Sequence, residues 1–208
     1  MQIPASLAAG YRRFRSERYA LEAERYRALA KGQRPRTMIV GCADSRADPA
    51  TIFAAAPGEL FVVRNVAALV PPCEEGGGYH GTSAAIEFGV NELAVPDLVV
   101  MGHGLCGGIA AALQERPAGR FIGPWVELLA GIREELAAAE PSLNVAARQK
   151  RFEQMAVCYS LQNLTTFPFV ETAVAAGRLR LHGAWFAIAE GELEWLDDSS
   201  GRFEPIGG

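Results

Sequence analysis

Short apolar, β-branched runs at Met38-Ile39-Val40, Leu60-Phe61-Val62-Val63 and Leu98-Val99-Val100-Met101 alternate with segments that read as helices, notably Gly81 to Leu93 and Ile109 to Leu113. That alternation constrains the chain more than any other feature. Parallel neighbours need a long crossover, usually a helix, so the pattern implies βαβ units and a mostly parallel sheet covered by helices. Ahead of it, Leu7, Tyr11, Phe14, Leu21 and Leu29 recur at roughly helical spacing among Arg and Glu, which predicts one or two helices with a charged face, ended by Gly32. Beyond Pro124 the sequence reads as helical to about Gly177, with breaks at Pro141 and Pro168. Leu179 to Ile188 and Leu193 to Trp195, joined through Gly191, resemble a terminal hairpin forming an antiparallel edge.

A chain of 208 residues, 50% hydrophobic, suffices for one buried core and is short for two, so residues 1–208 are read as a single domain. The net charge of -4 offers no basic footprint for a nucleic-acid backbone, although Tyr11 to Arg27 is locally rich in arginine. No apolar run reaches the roughly 18 residues a membrane span needs, and no basic start precedes an apolar stretch. The expectation is therefore a cytoplasmic protein with no nucleic-acid or membrane partner. Four cysteines without a secretory signal fit metal ligation or buried thiols better than a disulfide framework.

Two segments at strand ends carry chemistry. Cys42-Ala43-Asp44-Ser45-Arg46 sets a thiol, a carboxylate and a guanidinium at alternate positions, and residues two apart in extended backbone point the same way. Alone, Asp44 with Arg46 reads as a structural ion pair. The second segment is His103-Gly104-Leu105-Cys106-Gly107-Gly108. With Gly102 it formally satisfies G-x-G-x-x-G, but the acid expected about 20 residues on, Glu127, falls in a helical stretch instead of closing a strand. Gly76, Gly81 and Ser83 have phosphate-loop spacing, yet Thr82 stands where the lysine belongs. The zinc-deaminase, C-x-x-C and G-x-S-x-G patterns are absent from the sequence.

Ligand sites of open α/β sheets gather at the carboxyl ends of strands, so the two segments can meet there. Cys42, His103 and Cys106 then offer two thiolates and an imidazole, a normal catalytic zinc set with a fourth position available. Gly107 and Gly108, opening the next helix, are expected to aim N–H groups at the Cys106 sulfur. Cys73 and Cys158 read as small buried hydrophobes, and His80 and His182 as structural histidines.

With these residues in hand the sequence resembles the β-class carbonic anhydrases. The resemblance is carried by C-x-D-x-R at Cys42 to Arg46, H-x-x-C-G-G at His103 to Gly108, and supporting segments from Pro57 to Pro72 and Gly81 to Val90. It implies reversible hydration of carbon dioxide to bicarbonate and a proton by zinc-bound hydroxide, with one Zn²⁺ per subunit on Cys42, His103 and Cys106. Asp44 is implied as acceptor for the metal-bound water or conditional fourth ligand, with Arg46 keeping it ionised and aimed. Gly107 also belongs to the implied substrate site. An always-open subtype lines its carbon dioxide pocket with positions that here carry Gln33, Phe61, Val66 and Phe88. A bicarbonate-gated subtype uses a tryptophan, an arginine and a tyrosine, where this chain has Ile39, Arg64 and Phe186. The open form is thus expected. The resemblance further implies a homodimer or dimer of dimers, with residues 1–32 as a helical arm embracing the partner and Gln33, Phe61 and Phe88 presented across the interface. Hydrolysis of carbonyl sulfide or carbon disulfide, and a closed non-catalytic zinc or thiol site, are the alternatives.

Overall fold

Strand β1 (Thr37–Cys42) lies between β2 (Leu60–Asn65) and β3 (Asp97–His103), both parallel to it. In the computed structural model, which describes residues 3–74, 76, 78–114 and 119–207, β4 (Arg180–Ala187) continues the parallel sheet beside β3. Then β5 (Glu192–Asp197) and β6 (Arg202–Pro205) extend it antiparallel, giving the order β2-β1-β3-β4-β5-β6. The expected edge hairpin is a three-stranded meander. Strand β6 is only four residues long and polar, too short for an alternation signal, and it pairs because Asp197 and Gly201 close a tight turn.

Helices α1 (Ala5–Arg13) and α2 (Tyr19–Leu29) are joined by one π-helical turn and bury no residue of their own. The single turn of α3 (Pro49–Ile52) starts at Asp48, whose carboxylate accepts the Thr51 N–H at 3.0 Å. α4 (Gly81–Glu87) runs into a second π-helical turn and returns the chain to β3. After β3 come α5 (Gly107–Ala112), α6 (Ile122–Val126), α7 (Ala130–Ala139), α8 (Val145–Leu164) and α9 (Pro168–Ala175). Pro124 sits inside the first turn of α6 and Pro168 opens α9, both places where a missing N–H costs nothing. Glu75 and Gly77 of the glycine-rich segment lie outside the described residues.

The sheet has two unequal faces. Met38, Val40, Leu98 and Val100 pack under α8 and α9 against Val157, Leu164 and Val170. On the opposite face, Ile39, Val99, Met101 and Ala184 pack, among the described apolar residues, against Ile52, Phe53, Leu60 of β2 and Leu193 and Trp195 of β5. α8 is the main cover: Asn144 caps it by accepting the Ala147 N–H at 2.9 Å, worth about 1 kcal/mol, and Phe152, Ala156, Val157 and Leu164 form its inner face. Gly102 permits the close approach, because a Cβ there would come within 2.7 Å of Val157 Cγ2. Across β3 and β4, Asp97 takes a two-pronged bond from Arg180 and one from His182, which also lies against Trp195, so His182 is structural. Among the described residues no helix is long and apolar enough to cross a membrane.

Candidate active site

The chain leaves β1 toward β2 on one side of the sheet and reaches β3 on the other, so the carboxyl ends of β1 and β3 face a topological switch point. Cys42 is the last residue of β1 and His103 the last of β3. Leu105 then adopts a left-handed φ of 55°, tightening the turn so that Cys106 lands at the cap of α5. The two sulfurs are 3.9 Å apart, and one ligand atom from each of Cys42, His103 and Cys106 lies within 4.8 Å of the others.

His103 is 1% exposed. Its Nδ1 lies 2.9 Å from the Gly104 carbonyl, which can only accept, so Nδ1 carries the hydrogen and Nε2 keeps its lone pair. Nε2 is buried with no hydrogen-bond partner, aimed at the thiols. A buried acceptor without a donor is costly, and a metal ion removes that cost. Burial disfavours the imidazolium, but the neighbouring Cys42 sulfur, the Gly104 carbonyl and the Asp44 charge outweigh it, so the His103 pKa is raised. The hydrogen bond from Cys106 draws the Cys42 thiol down to about 4, against burial, while the same bond and burial push the Cys106 thiol up. One proton is thus shared between the sulfurs, and a divalent cation supplies the charge that lets both ionise. Two thiolates and one neutral imidazole are a zinc donor set.

Asp44 borders this group, its Oδ2 4.0 Å from His103 Nε2. The Arg46 fork grips it: Nε donates to Oδ1 at 3.0 Å, Nη2 to Oδ2 at 2.8 Å, and the Arg46 N–H to Oδ1 at 2.9 Å. These bonds hold the Asp44 carboxyl well below the usual carboxylate range. Arg46 Nη2 also donates to the Leu105 carbonyl at 3.1 Å, tying the two ligand-bearing segments together.

The turn after β2 closes one wall. Ala67 and Ala68 are both left-handed, with φ of 67° and 55°, at a cost of about 1 kcal/mol or more each. Asn65 holds the turn through both ends of its amide: Oδ1 accepts the Leu69 N–H at 2.9 Å and Nδ2 donates to the Leu69 carbonyl at 2.8 Å. The reward is an Ala67 N–H directed at the Cys42 sulfur. Gly108 makes room, since a Cβ there would meet Val66 Cγ1 at 2.6 Å and Ala67 Cβ at 3.0 Å. Gly107, by contrast, faces open space. The amides that favour a Cys106 thiolate belong to Ile109 and Gly108, one residue later than the expected Gly107 and Gly108. Cys106 occupies the cap position, and amides two and three residues on are the ones that point back at a cap.

Of the expected pocket residues, Val66 lies beside the ligand group. Phe61 pairs with Met38 near the start of β1 and contacts Phe88 at 5.8 Å between ring centres, and Gln33 precedes β1, so these three lie toward the other end of the strands. Ile39 is buried in the sheet and Phe186 pairs with His103 in β4. Cys73, Cys158 and His80 lie outside the site; burial pushes the Cys158 thiol up.

Glu153 is a residue that motif reading missed. It is 2% exposed, accepts the Cys106 N–H at 3.0 Å and Gln149 Nε2 at 3.1 Å through Oε1, and accepts Trp185 Nε1 at 3.2 Å through Oε2. Burial raises its pKa. The available signal was a charged residue at an inner-face position of α8, beside Phe152 and Ala156.

A buried Cys-His-Cys group at the strand ends of a parallel sheet, bordered by an Asp-Arg fork, defines a class of α/β proteins with a zinc-type donor set at the ligand-binding end of the sheet. The carbonic anhydrase family model matches residues 37–193. The chain is 35% identical over 189 residues to Beta carbonic anhydrase 5, chloroplastic, of Arabidopsis thaliana, covering 89% of this chain and 62% of that protein's length. Its fold superposes on the β-carbonic anhydrase CcaA with a TM-score of 0.90 at 28% identity, covering 97% and 98% of the two chains. A structure from Sordaria macrospora, one of two described as tetrameric β-carbonic anhydrases, gives 0.75 at 30% identity, covering 98% and 93%. The chain belongs to the carbonic anhydrase family, in its β class.

Proposed function

We propose that this protein catalyses the reversible hydration of carbon dioxide to bicarbonate and a proton, with zinc held by Cys42, His103 and Cys106. The observation that carries this reading is the unpartnered, buried His103 Nε2 facing two thiols, with an Arg-held carboxylate 4.0 Å away. Zinc, when bound, supplies Lewis acidity that lowers the pKa of water toward neutrality and makes hydroxide available as the nucleophile. Asp44, kept ionised by Arg46, accepts a hydrogen bond from the nucleophile and fixes its lone pair toward carbon dioxide. Arg46 also braces Leu105, so the acceptor and the ligand turn keep their relative position. Val66 offers an uncharged substrate an apolar wall. The direct test is stopped-flow carbon dioxide hydration on metal-quantified protein, with carbonyl sulfide turnover measured beside it. Background rates at one zinc per chain would remove the reading; faster turnover of carbonyl sulfide would change the substrate.

The working unit is proposed to be a homodimer, or a dimer of such dimers as the tetrameric Sordaria proteins allow. The arm formed by α1 and α2 has no fully buried residue and touches its own chain through Arg25, at Pro57 and Glu59, and Leu29, at Gly58, while Leu21 is 89% exposed. Phe14, Tyr19 and Tyr26 cluster along it, and Arg12, Arg13 and Arg15 make it basic, while the whole chain is still -4. An aromatic, basic arm and an acidic body are complementary between two copies. In that dimer Gln33, Phe61 and Phe88 complete the partner's pocket. Sedimentation velocity at micromolar concentration is expected to give a dimer or tetramer mass; a monomer would overturn this arrangement. A cytoplasmic location is part of the same proposal, since a reducing compartment keeps two thiols 3.9 Å apart available as ligands.

A further inference from the structure

The guanidinium of Arg64, on β2, reaches across to the segment that follows β1. Its Nε donates to the Cys42 carbonyl at 2.7 Å, Nη1 to Asp48 Oδ1 at 3.1 Å, and Nη2 to the carbonyls of Asp44 at 2.6 Å and Ala47 at 3.4 Å. Four acceptors spread from Cys42 to Asp48 therefore converge on one planar group, carried by a side chain that is only 28% exposed. Three of them are main-chain carbonyls, of Cys42 at the last position of β1 and of Asp44 and Ala47 in the segment beyond it. Asp48 is fixed independently, because its other oxygen caps α3 through the Thr51 N–H and hydroxyl.

We infer that Arg64 is a positioning residue: it is the internal strut that sets the path of the Cys42 to Asp48 segment, and through it the place of Asp44 beside the ligand group. Beyond the Arg46 bonds to Asp44 and Leu105 and the Asp44 N–H donated to the Cys42 sulfur at 3.4 Å, the segment's other ties are few. Ala43 N–H donates to the Asn65 carbonyl at 2.7 Å and Ala47 N–H to the Asp44 carbonyl at 3.2 Å. Without the strut, the Asp44 and Arg46 fork stays intact as a pair and keeps its Arg46 tie to the Leu105 carbonyl, but the backbone that carries it loses its brace on the β2 side. A lysine cannot replace it, since a single ammonium is a point donor and lacks the flat fork that spans carbonyls and a carboxylate together. These acceptors take four of the five Arg64 N–H donors, leaving too few for a two-pronged grip on an external anion. An anion arriving there has to displace the Asp44 and Asp48 contacts, so the geometry favours a segment held permanently in one position over one moved by bicarbonate.

The activity part of the test rests on the carbon dioxide reading above; the exchange part does not. Amide hydrogen exchange on the zinc-loaded protein is measured for the parent and Arg64→Lys. The Ala43 and Ala47 amides are expected to exchange about tenfold faster or more in the variant, matching the loss of charged hydrogen bonds, while β3 amides stay unchanged. In stopped-flow assays kcat is expected to fall about tenfold with little change in KM, because the strut places Asp44 and touches no substrate. Unchanged exchange in that segment overturns the proposal whatever the rates do. Unchanged exchange with loss of a steep bicarbonate inhibition overturns it in favour of an anion site. Should Arg64→Lys exchange fast everywhere, Asp48→Asn removes one charged partner and is expected to speed exchange only within residues 43–48; no acceleration there overturns the inference too. A parent protein inactive on carbon dioxide removes the functional reading and leaves the exchange result to decide the strut.

Discussion

Asp44→Asn protein carrying one zinc per chain is expected to hydrate carbon dioxide roughly 10²- to 10⁴-fold more slowly than the parent, with its metal retained. The substitution keeps the shape and changes the hydrogen-bond signs. Arg46 offers donors to both oxygens of Asp44, Nε and N–H to Oδ1 and Nη2 to Oδ2. An amide can accept on one side only, so either Nε or Nη2 then faces another donor. Whichever way the amide turns, the group near His103 loses the negative charge that Arg46 maintains. Because Asp44 is outside the Cys-His-Cys group, zinc content is the control: a rate loss with full metal isolates the acceptor role. A loss of less than about threefold at full occupancy would contradict that role, being far below what a positioned acceptor contributes.

The second large effect is expected from His103→Ala: zinc lost on dialysis against a mild chelator, a fall in metal affinity of more than about 100-fold, and carbon dioxide hydration at the buffer rate. Loss of an outer partner of a ligand already costs about 10- to 100-fold, and removal of a ligand exceeds that. Two buried thiols remain, and without the metal they share one proton, so they cannot both serve as thiolates. Metal analysis and isothermal competition with a zinc-sensitive dye measure the affinity directly. Retention of one tightly held zinc by this variant would show that the Nε2 lone pair is not a ligand.

The parallel half of the sheet was legible because Met38 to Val40, Leu60 to Val63 and Leu98 to Met101 are apolar runs between helical patterns, and the first and third end at the ligands. The metal group was legible for the same reason, since soft ligands at two strand ends have a fixed meeting place. What escaped depends on contacts between distant segments. Glu153 is an unremarked glutamate in a helix until α8 lies over β3 and sets it under Cys106. Arg64 reads as the remnant of an anion site until its four acceptors are seen. Strand β6 has no periodicity to read, and the one-residue offset of the Cys106 amides follows from cap geometry that spacing does not encode.

The turn at Ala67 and Ala68 bears on how such a chain can change over evolutionary time. Two consecutive alanines in left-handed backbone are tolerable only while Asn65 grips Leu69 and while position 108 has no side chain. Drift at any one of these positions strands the others: a larger residue at 108 pushes Val66 and Ala67, and loss of the Asn65 amide frees the strained pair to relax. The four positions therefore form a single heritable unit, and a lineage is expected to keep or exchange them together, while the meander of β5 and β6 varies independently of the zinc ligands.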